Sequence, residues 1–148
     1  MKVVVITGIS VLLTILFSFT YTDNTNNYSI KVKVTKIRNK KGNLQIQVYR
    51  DQATFADEKP YKIYRISKED VSNGTMTYTI KDLPMGTYGL ALLDDENNNK
   101  EMDYGLVLPN EGFGFSNYYH TGWSRPVFED FDFTLDSDKS VLMVVRYV

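Results

Sequence analysis

The sequence predicts an all-β protein, a single β-sandwich of about seven antiparallel strands. Seven segments alternate apolar and polar residues with period two, which is typical of half-buried strands. Short turns rich in glycine, proline and asparagine separate these segments. No stretch after Thr22 shows a convincing helical period. The 148-residue length suits one domain, and 43% hydrophobic residues are enough for a substantial core.

The first 22 residues are predicted to be a secretory signal peptide. Lys2 places a charge ahead of the apolar run Val3–Phe19, and cleavage is expected between about Phe19 and Asp23. An uncleaved N-terminal anchor is the alternative, although the run is short for a spanning helix. The absence of cysteine excludes lipoprotein-type lipid attachment and requires folding without disulfides. We therefore expect an exported protein that is periplasmic, bound to the cell envelope or extracellular.

A polar stretch at residues 23–27 is predicted to be flexible, and the sandwich domain is expected to span residues 28–148. Apolar residues alternate in Tyr28–Val34 and again in Leu44–Val48. The turn Asn39–Gly42 between them predicts that these two strands form a hairpin.

Five further strand patterns follow, at residues 61–66, 76–80, 88–92, 127–135 and 141–147. Residues 51–59, ahead of them, are predicted to be a loop from which Phe55 closes one edge of the core. The predicted core consists of inward-facing residues of the strands: Ile30, Val32, Leu44, Ile46, Val48, Leu90, Leu92, Phe133, Val141, Met143 and Val145.

An acidic loop follows the strand at residues 88–92 and has the spacing D-x-N-x-N-x-x-x-D. Calcium loops place oxygen ligands at the first, third and fifth positions, a backbone carbonyl at the seventh and a carboxylate or water at the ninth. These positions are Asp95, Asn97, Asn99, Glu101 and Asp103. Hard oxygen donors suit calcium, so these five residues are predicted to bind a calcium ion.

The loop departs from an EF-hand at two positions. Lys100 stands where the sharp turn calls for glycine, and Leu106 stands where an EF-hand has its bidentate glutamate. Lys100 would be strained in a left-handed conformation. Asp94 or Glu111 is expected to complete the shell. The alternative is that Asp and Asn side chains cap their own backbone in a long polar turn, and the spacing leaves both interpretations open.

The connection from Tyr104 to Pro126 is unusually long for a compact domain, which indicates a functional role or an external support. Its aromatic residues divide into two groups. Phe113 and Phe115 are expected to close the core, whereas Tyr119 and Trp123 are candidates for binding a carbohydrate or protein ligand.

The residue inventory argues against catalysis. There is no cysteine nucleophile, and His120 is the only histidine. Ser116 and Asp130 lie near it in sequence, but nothing resembles a nucleophile elbow. The net charge of -1 gives no electrostatic reason to expect nucleic acid as a partner.

Three segments together resemble the bacterial domain of unknown function 2141 family: LPMGTYGLALLDDENNNKEMD, PNEGFGFSN and FEDFDF. The resemblance covers nearly all of Tyr28–Val148. It implies a secreted or envelope-associated protein with a transthyretin-like or Ig-like sandwich and no known activity. The chain departs from the family pattern at Asn98 and Lys100, where the family usually carries glycines.

These observations predict an exported, non-catalytic β-sandwich protein that serves as a binding or accessory module with a calcium-type loop. A structural cell-envelope protein is the alternative, and a hydrolase that uses His120 is a third reading of the same residues. No membrane span is expected once the signal peptide has been removed.

Overall fold

The computed structural model describes residues 26–106 and 108–148, so the predicted signal peptide lies outside the described residues. The described chain is almost entirely β-structure. Its elements, in chain order, are β1 (Asn27–Thr35), β2 (Asn43–Tyr49), α1 (Gln52–Ala56), β3 (Lys62–Ser67), β4 (Met76–Pro84), β5 (Gly86–Asp95), β6 (Gly112–Phe115), a 3-10 turn (Phe128–Asp130), β7 (Asp132–Leu135) and β8 (Lys139–Val144).

The strands form two sheets, which confirms the prediction of an all-β sandwich. The smaller sheet has the order β4-β1-β8, and the larger has the order β3-β2-β5-β6, with β7 also paired to β5. The pairings are antiparallel except that β1 runs parallel to β8. The predicted hairpin of β1 with β2 is wrong, because β1 pairs with β4 and β8 and the turn after it leads into the other sheet.

The main core lies between the two sheets. All of the predicted core residues are buried there except Phe133, which is half-buried and packs against the others. Alternation along the strands explains this burial, because successive side chains of a strand point to opposite faces. Leu44, Ile46 and Val48 of β2 are each 0% exposed and face inward.

A second apolar cluster covers the outer face of the larger sheet. It consists of Tyr49, Phe55, Phe115, Phe128 and Phe131. Tyr49 follows the inward-facing Val48, and Phe115 pairs in register with Ala91, so both project from the outer face. The larger sheet is therefore buried on part of both faces.

Three segments differ from the sequence-based expectations. Residues 51–59 contain α1, because the Asp51 carboxylate accepts the Thr54 backbone N–H at 2.7 Å and caps the helix. Residues 128–130 form a 3-10 turn, and the strand begins only at Asp132. The long connection contains β6, which pairs with β5. In residues 26–106 and 108–148 no helix reaches the length and apolarity needed to cross a membrane.

Candidate functional site

The acidic loop brings its predicted ligand side chains together at the end of β5. The Asp95 carboxylate accepts the backbone N–H groups of Asn99 at 3.1 Å and Lys100 at 2.9 Å. The Asp103 carboxylate accepts the side-chain amides of Asn97 at 2.5 Å and Asn99 at 2.9 Å. The four side chains therefore lie within hydrogen-bonding reach of one another or of the same short turn.

Two non-glycine residues of the loop have the left-handed backbone conformation that glycine adopts most easily. Asn98 has φ 62° and Lys100 has φ 73°, both in the left-handed region. This conformation costs a residue with a Cβ about 1–2 kcal/mol. The strain expected at Lys100 is therefore present, and the path of the loop is preserved despite it.

Glu111, which precedes β6, ties the two ends of the loop together. Its carboxylate accepts the backbone N–H of Glu96 at 3.0 Å and that of Asp103 at 3.3 Å, and the residue is 4% exposed. Burial raises the pKa of the Glu111 carboxyl, and the nearby charges of Asp103 and Asp95 raise it further. A second link joins the Asn110 N–H to the Asp103 carbonyl at 2.8 Å.

Asp94 does not take part in the loop. Asp94 lies two residues after the inward-facing Leu92 on β5, so its side chain also points inward, and the residue is 0% exposed. Its carboxylate contacts Lys68 and Tyr147. The expectation that Asp94 completes a calcium shell is therefore wrong, because neighbouring residues of a strand point to opposite faces. Glu111 lies at the loop as expected.

The donor set of the loop fits calcium only if side-chain amides contribute. Among the residues that the structure describes, no group of three or more Asp, Glu or His side chains is placed to hold a metal ion. Asn97 and Asn99 would have to supply oxygens beside Asp95 and Asp103, and Glu101 would supply its carbonyl. In the structure the Asn97 and Asn99 oxygens each accept a backbone N–H two residues further on, at 2.9 Å. These hydrogen bonds are those of a capped polar turn, which is the alternative to a calcium site stated above.

A groove lies beside the loop on the outer face of the larger sheet. It encloses about 600 Å³. Strand residues Ala91, Phe113 and Phe115 line it. Further lining residues come from the segments on either side, chiefly Lys100, Glu101, Met102, Tyr104, Leu108 and Pro109 from the loop side, and His120, Gly122, Trp123, Ser124, Arg125 and Pro126 from the other.

Two aromatic rings of the groove face solvent. Trp123 is 84% exposed and Tyr104 is 67% exposed, and they come from opposite sides. Tyr119, the other predicted ligand residue, is 46% exposed. The Tyr119 ring lies 5.0 Å from Lys36 Nζ and is outside the groove. The structure therefore separates the two predicted ligand-binding residues.

The arginines of the groove are held by the protein itself. The Arg125 guanidinium lies 4.0 Å from the Phe55 ring centroid, donates to the Phe55 carbonyl at 2.8 Å and pairs with Glu58 at 3.0 Å. Arg146 donates to the carbonyls of His120 at 2.8 Å and Gly122 at 3.1 Å. Both arginines therefore brace the segments that form the groove.

The residues near His120 do not assemble a catalytic triad. The Ser116 hydroxyl accepts the Leu90 N–H at 2.9 Å and donates to the Phe131 carbonyl at 2.6 Å. Asp130 accepts the Val127 N–H at 3.1 Å. His120 packs among Phe113, Phe115 and Tyr118, and its Nδ1 is buried without a partner among the described residues.

Fold and site together define an all-β sandwich protein with an acid-and-amide loop beside an aromatic groove. The chain belongs to the family described as "Uncharacterized protein conserved in bacteria (DUF2141)", whose profile matches residues 32–142. No curated protein and no solved structure matches the chain.

Sequence reasoning located the loop but missed the groove. The loop was found because its ligands are close in sequence and regularly spaced. The groove was missed because the sheet face, the loop side and the segment 120–126 come from distant parts of the chain. Lys68, which directly follows β3, is 0% exposed. Lysine is rarely fully buried, so no sequence signal singled it out.

Proposed function

We propose that this protein is an exported, non-catalytic binding module that holds calcium in its acidic loop and a neutral carbohydrate in the adjacent groove. The observation that carries the proposal is the shared boundary of the two sites. Lys100 and Glu101 belong to the loop and also line the groove that Trp123 faces. An ion that orders the loop would therefore order one wall of the groove.

Calcium is supported by the convergence of oxygen-bearing side chains and by the strained backbone of the loop. Asp95 and Asp103 are the carboxylates, and the amides of Asn97 and Asn99 would turn their oxygens to the ion. Bound calcium would also offset the left-handed strain at Asn98 and Lys100. We expect a dissociation constant of about 10⁻⁴–10⁻³ M, as in other extracellular modules.

A carbohydrate is supported by the chemistry of the groove. The Trp123 and Tyr104 rings present apolar faces at a site bordered by polar groups, which is the pattern that stacks on a sugar ring. Arg125 and Arg146 are already engaged by the protein, and the third cation of the lining, Lys100, is accompanied there by the neighbouring carboxylate of Glu101. A neutral oligosaccharide suits this combination best.

Trp123 makes the binding test direct because it is the only tryptophan of the chain. We would titrate the protein with neutral tetrasaccharides of glucose and of N-acetylglucosamine in millimolar calcium and follow tryptophan fluorescence. Saturable quenching or enhancement is expected with at least one of them. Addition of chelator should weaken the binding.

Two variants distinguish the groove from general surface stacking. Tyr104→Ala should weaken saccharide binding about fivefold or more, if stacking of a sugar on an aromatic ring contributes as much as the stacking of a nucleic-acid base, about 1–3 kcal/mol. Tyr119→Ala removes another exposed aromatic ring, outside the groove, and should leave the affinity unchanged. If the folded, calcium-loaded protein shows no fluorescence response to either saccharide, the proposal of a carbohydrate ligand is refuted. A structural role in the cell envelope would then be favoured.

Export is tested separately by fractionation of the native host. The protein should be recovered outside the cytoplasm with its N-terminus between about Phe19 and Asp23, as the signal-peptide layout requires. Full-length protein confined to the cytoplasm would contradict this part of the proposal.

A further inference from the structure

A fully buried ion pair lies at the end of the sandwich near the acidic loop. Lys68 directly follows β3, and Asp94 is the penultimate residue of β5. The side chains of both residues are 0% exposed, and Lys68 Nζ lies 2.5 Å from Asp94 Oδ1. Removing two opposite charges from water is costly, and their attraction often fails to repay it. Such a pair calls for an explanation beyond stability.

A tyrosine engages the second oxygen of the carboxylate. The Tyr147 hydroxyl donates to Asp94 Oδ2 at 2.5 Å, while its own oxygen accepts the Arg38 backbone N–H at 3.1 Å. The second contact leaves the hydroxyl proton directed at Asp94. Burial raises the pKa of the Tyr147 hydroxyl, so the phenol keeps this proton at neutral pH.

The position of the tyrosine ring is fixed on two sides. The Arg38 guanidinium lies 4.3 Å from its centroid. Gly112 packs against the ring so closely that an added Cβ would lie 2.4 Å from a ring carbon. The lysine, the carboxylate and the phenol are therefore held together by the surrounding fold and do not depend on flexible surface contacts.

We propose that Lys68 and Asp94 condense in the folded protein to form an intramolecular side-chain amide. A proton passes from the Lys68 ammonium to the carboxylate, and the neutral Nζ attacks Asp94 Cγ to form the C–N bond. The C–O bond of one carboxyl oxygen then breaks. That oxygen leaves as water with its own proton and a second proton from Nζ. The Tyr147 hydroxyl polarises the carboxyl group by its hydrogen bond to the other oxygen.

The geometry is close to that of a reactive complex. Since Oδ1 is bonded directly to Cγ at about 1.2 Å, Nζ lies no more than about 3.7 Å from Cγ, near the 3–3.5 Å of a near-attack arrangement. The complete burial of both side chains keeps bulk water away from the product amide. No oxidant or cofactor is needed.

The product would supply a cross-link in a chain that contains no cysteine. β3 is the outermost strand of the larger sheet, paired only with β2 among the described strands, and the bond would join its end directly to β5. The edge strand would then be covalently held, which protects it in an environment where other proteins use disulfides.

The test is mass spectrometry of the denatured full-length protein after expression. The wild-type mass should be lower than the sequence mass by one water molecule, once N-terminal processing has been counted. Protease digestion should yield a branched peptide that joins Lys68 to Asp94. An unmodified mass with Lys68 and Asp94 in separate linear peptides would show that the pair is an ordinary ion pair and would overturn the proposal.

Variants distinguish this bond from other losses of water. Lys68→Arg keeps the positive charge but should show the full sequence mass. Tyr147→Phe should slow bond formation by about 10²-fold or more, the usual contribution of a positioned proton donor. The exposed pair Lys59 and Asp57, 3.1 Å apart, is the internal control and should remain linear in the same digest. Loss of water that persists in Lys68→Arg would place the modification elsewhere and contradict the proposal.

Discussion

Replacing Phe55 by Ala tests whether the aromatic cluster on the outer face of the larger sheet is a genuine second core. Phe55 is 2% exposed. Its ring centroid lies 5.2 Å from that of Tyr49, 4.9 Å from that of Phe131 and 6.3 Å from that of Phe115, each in an edge-to-face arrangement. The ring also supports the guanidinium of Arg125.

The expected loss follows from this environment. Truncating a buried Phe to Ala removes about 3–5 kcal/mol from the free energy of unfolding. The helix that carries Phe55 has only five residues, and a helix this short depends on packing for its stability. The loss in the free energy of unfolding should therefore lie near the upper end of that range, at about 4–5 kcal/mol.

Urea unfolding followed by circular dichroism measures this loss. Phe55→Leu keeps most of the apolar volume and should lose only about 1–2 kcal/mol. Tyr61→Ala removes an aromatic ring that is 43% exposed, so it should lose less than about 1 kcal/mol. If Phe55→Ala costs no more than Tyr61→Ala, the outer cluster contributes little and the reasoning is refuted.

Three further predictions concern the main core, the histidine and acid stability. Leu90→Ala should destabilise by about 2–5 kcal/mol in urea unfolding, because Leu90 is 0% exposed between the sheets; an unchanged midpoint would place it outside the core. His120→Ala should leave the β-type circular dichroism spectrum unchanged, and a hydrolytic activity abolished by this variant would overturn the proposal of a non-catalytic protein. The Arg38 hydrogen bond lowers the pKa of the Glu96 carboxyl, so the stability from this pair is present above pH about 4.5 and lost as the pH falls through the lower folded-state pKa. In Arg38→Met the free energy of unfolding should therefore fall less steeply as the pH is lowered below about 4.5. The same pH dependence in the variant and the wild type would contradict this.

The sequence predicted the strands well because half-buried strands carry a period-two pattern that is local. Strand pairing could not be predicted in the same way. A short connection between β1 and β2 favoured a hairpin, yet the two strands lie in different sheets, since their partners β8 and β5 are distant in sequence. Pairing across a sandwich depends on contacts that no single window of sequence contains.

The candidate site shows the same division. Asp95 and Asp103 were found because a wound loop repeats its ligands at short, fixed intervals. Asp94 was expected to complete the calcium shell, whereas its position next to Asp95 on a strand turns it away from the loop, and its partners Lys68 and Tyr147 could not be predicted from the sequence. Both partners come from other segments, and their burial is produced only by the folded sandwich.

The central claim is that calcium orders the acidic loop and with it the groove wall. A thermal melting series in chelator and in about 10 mM calcium tests it, on the wild type and on the double variant Asp95→Ala with Asp103→Ala. With a dissociation constant of about 10⁻⁴–10⁻³ M, mass action gives the wild type about 1.4–2.7 kcal/mol of added stability. We predict a higher melting temperature with calcium in the wild type and no shift in the double variant. A wild-type melting temperature that is the same in chelator and in calcium would show that the loop is a capped polar turn.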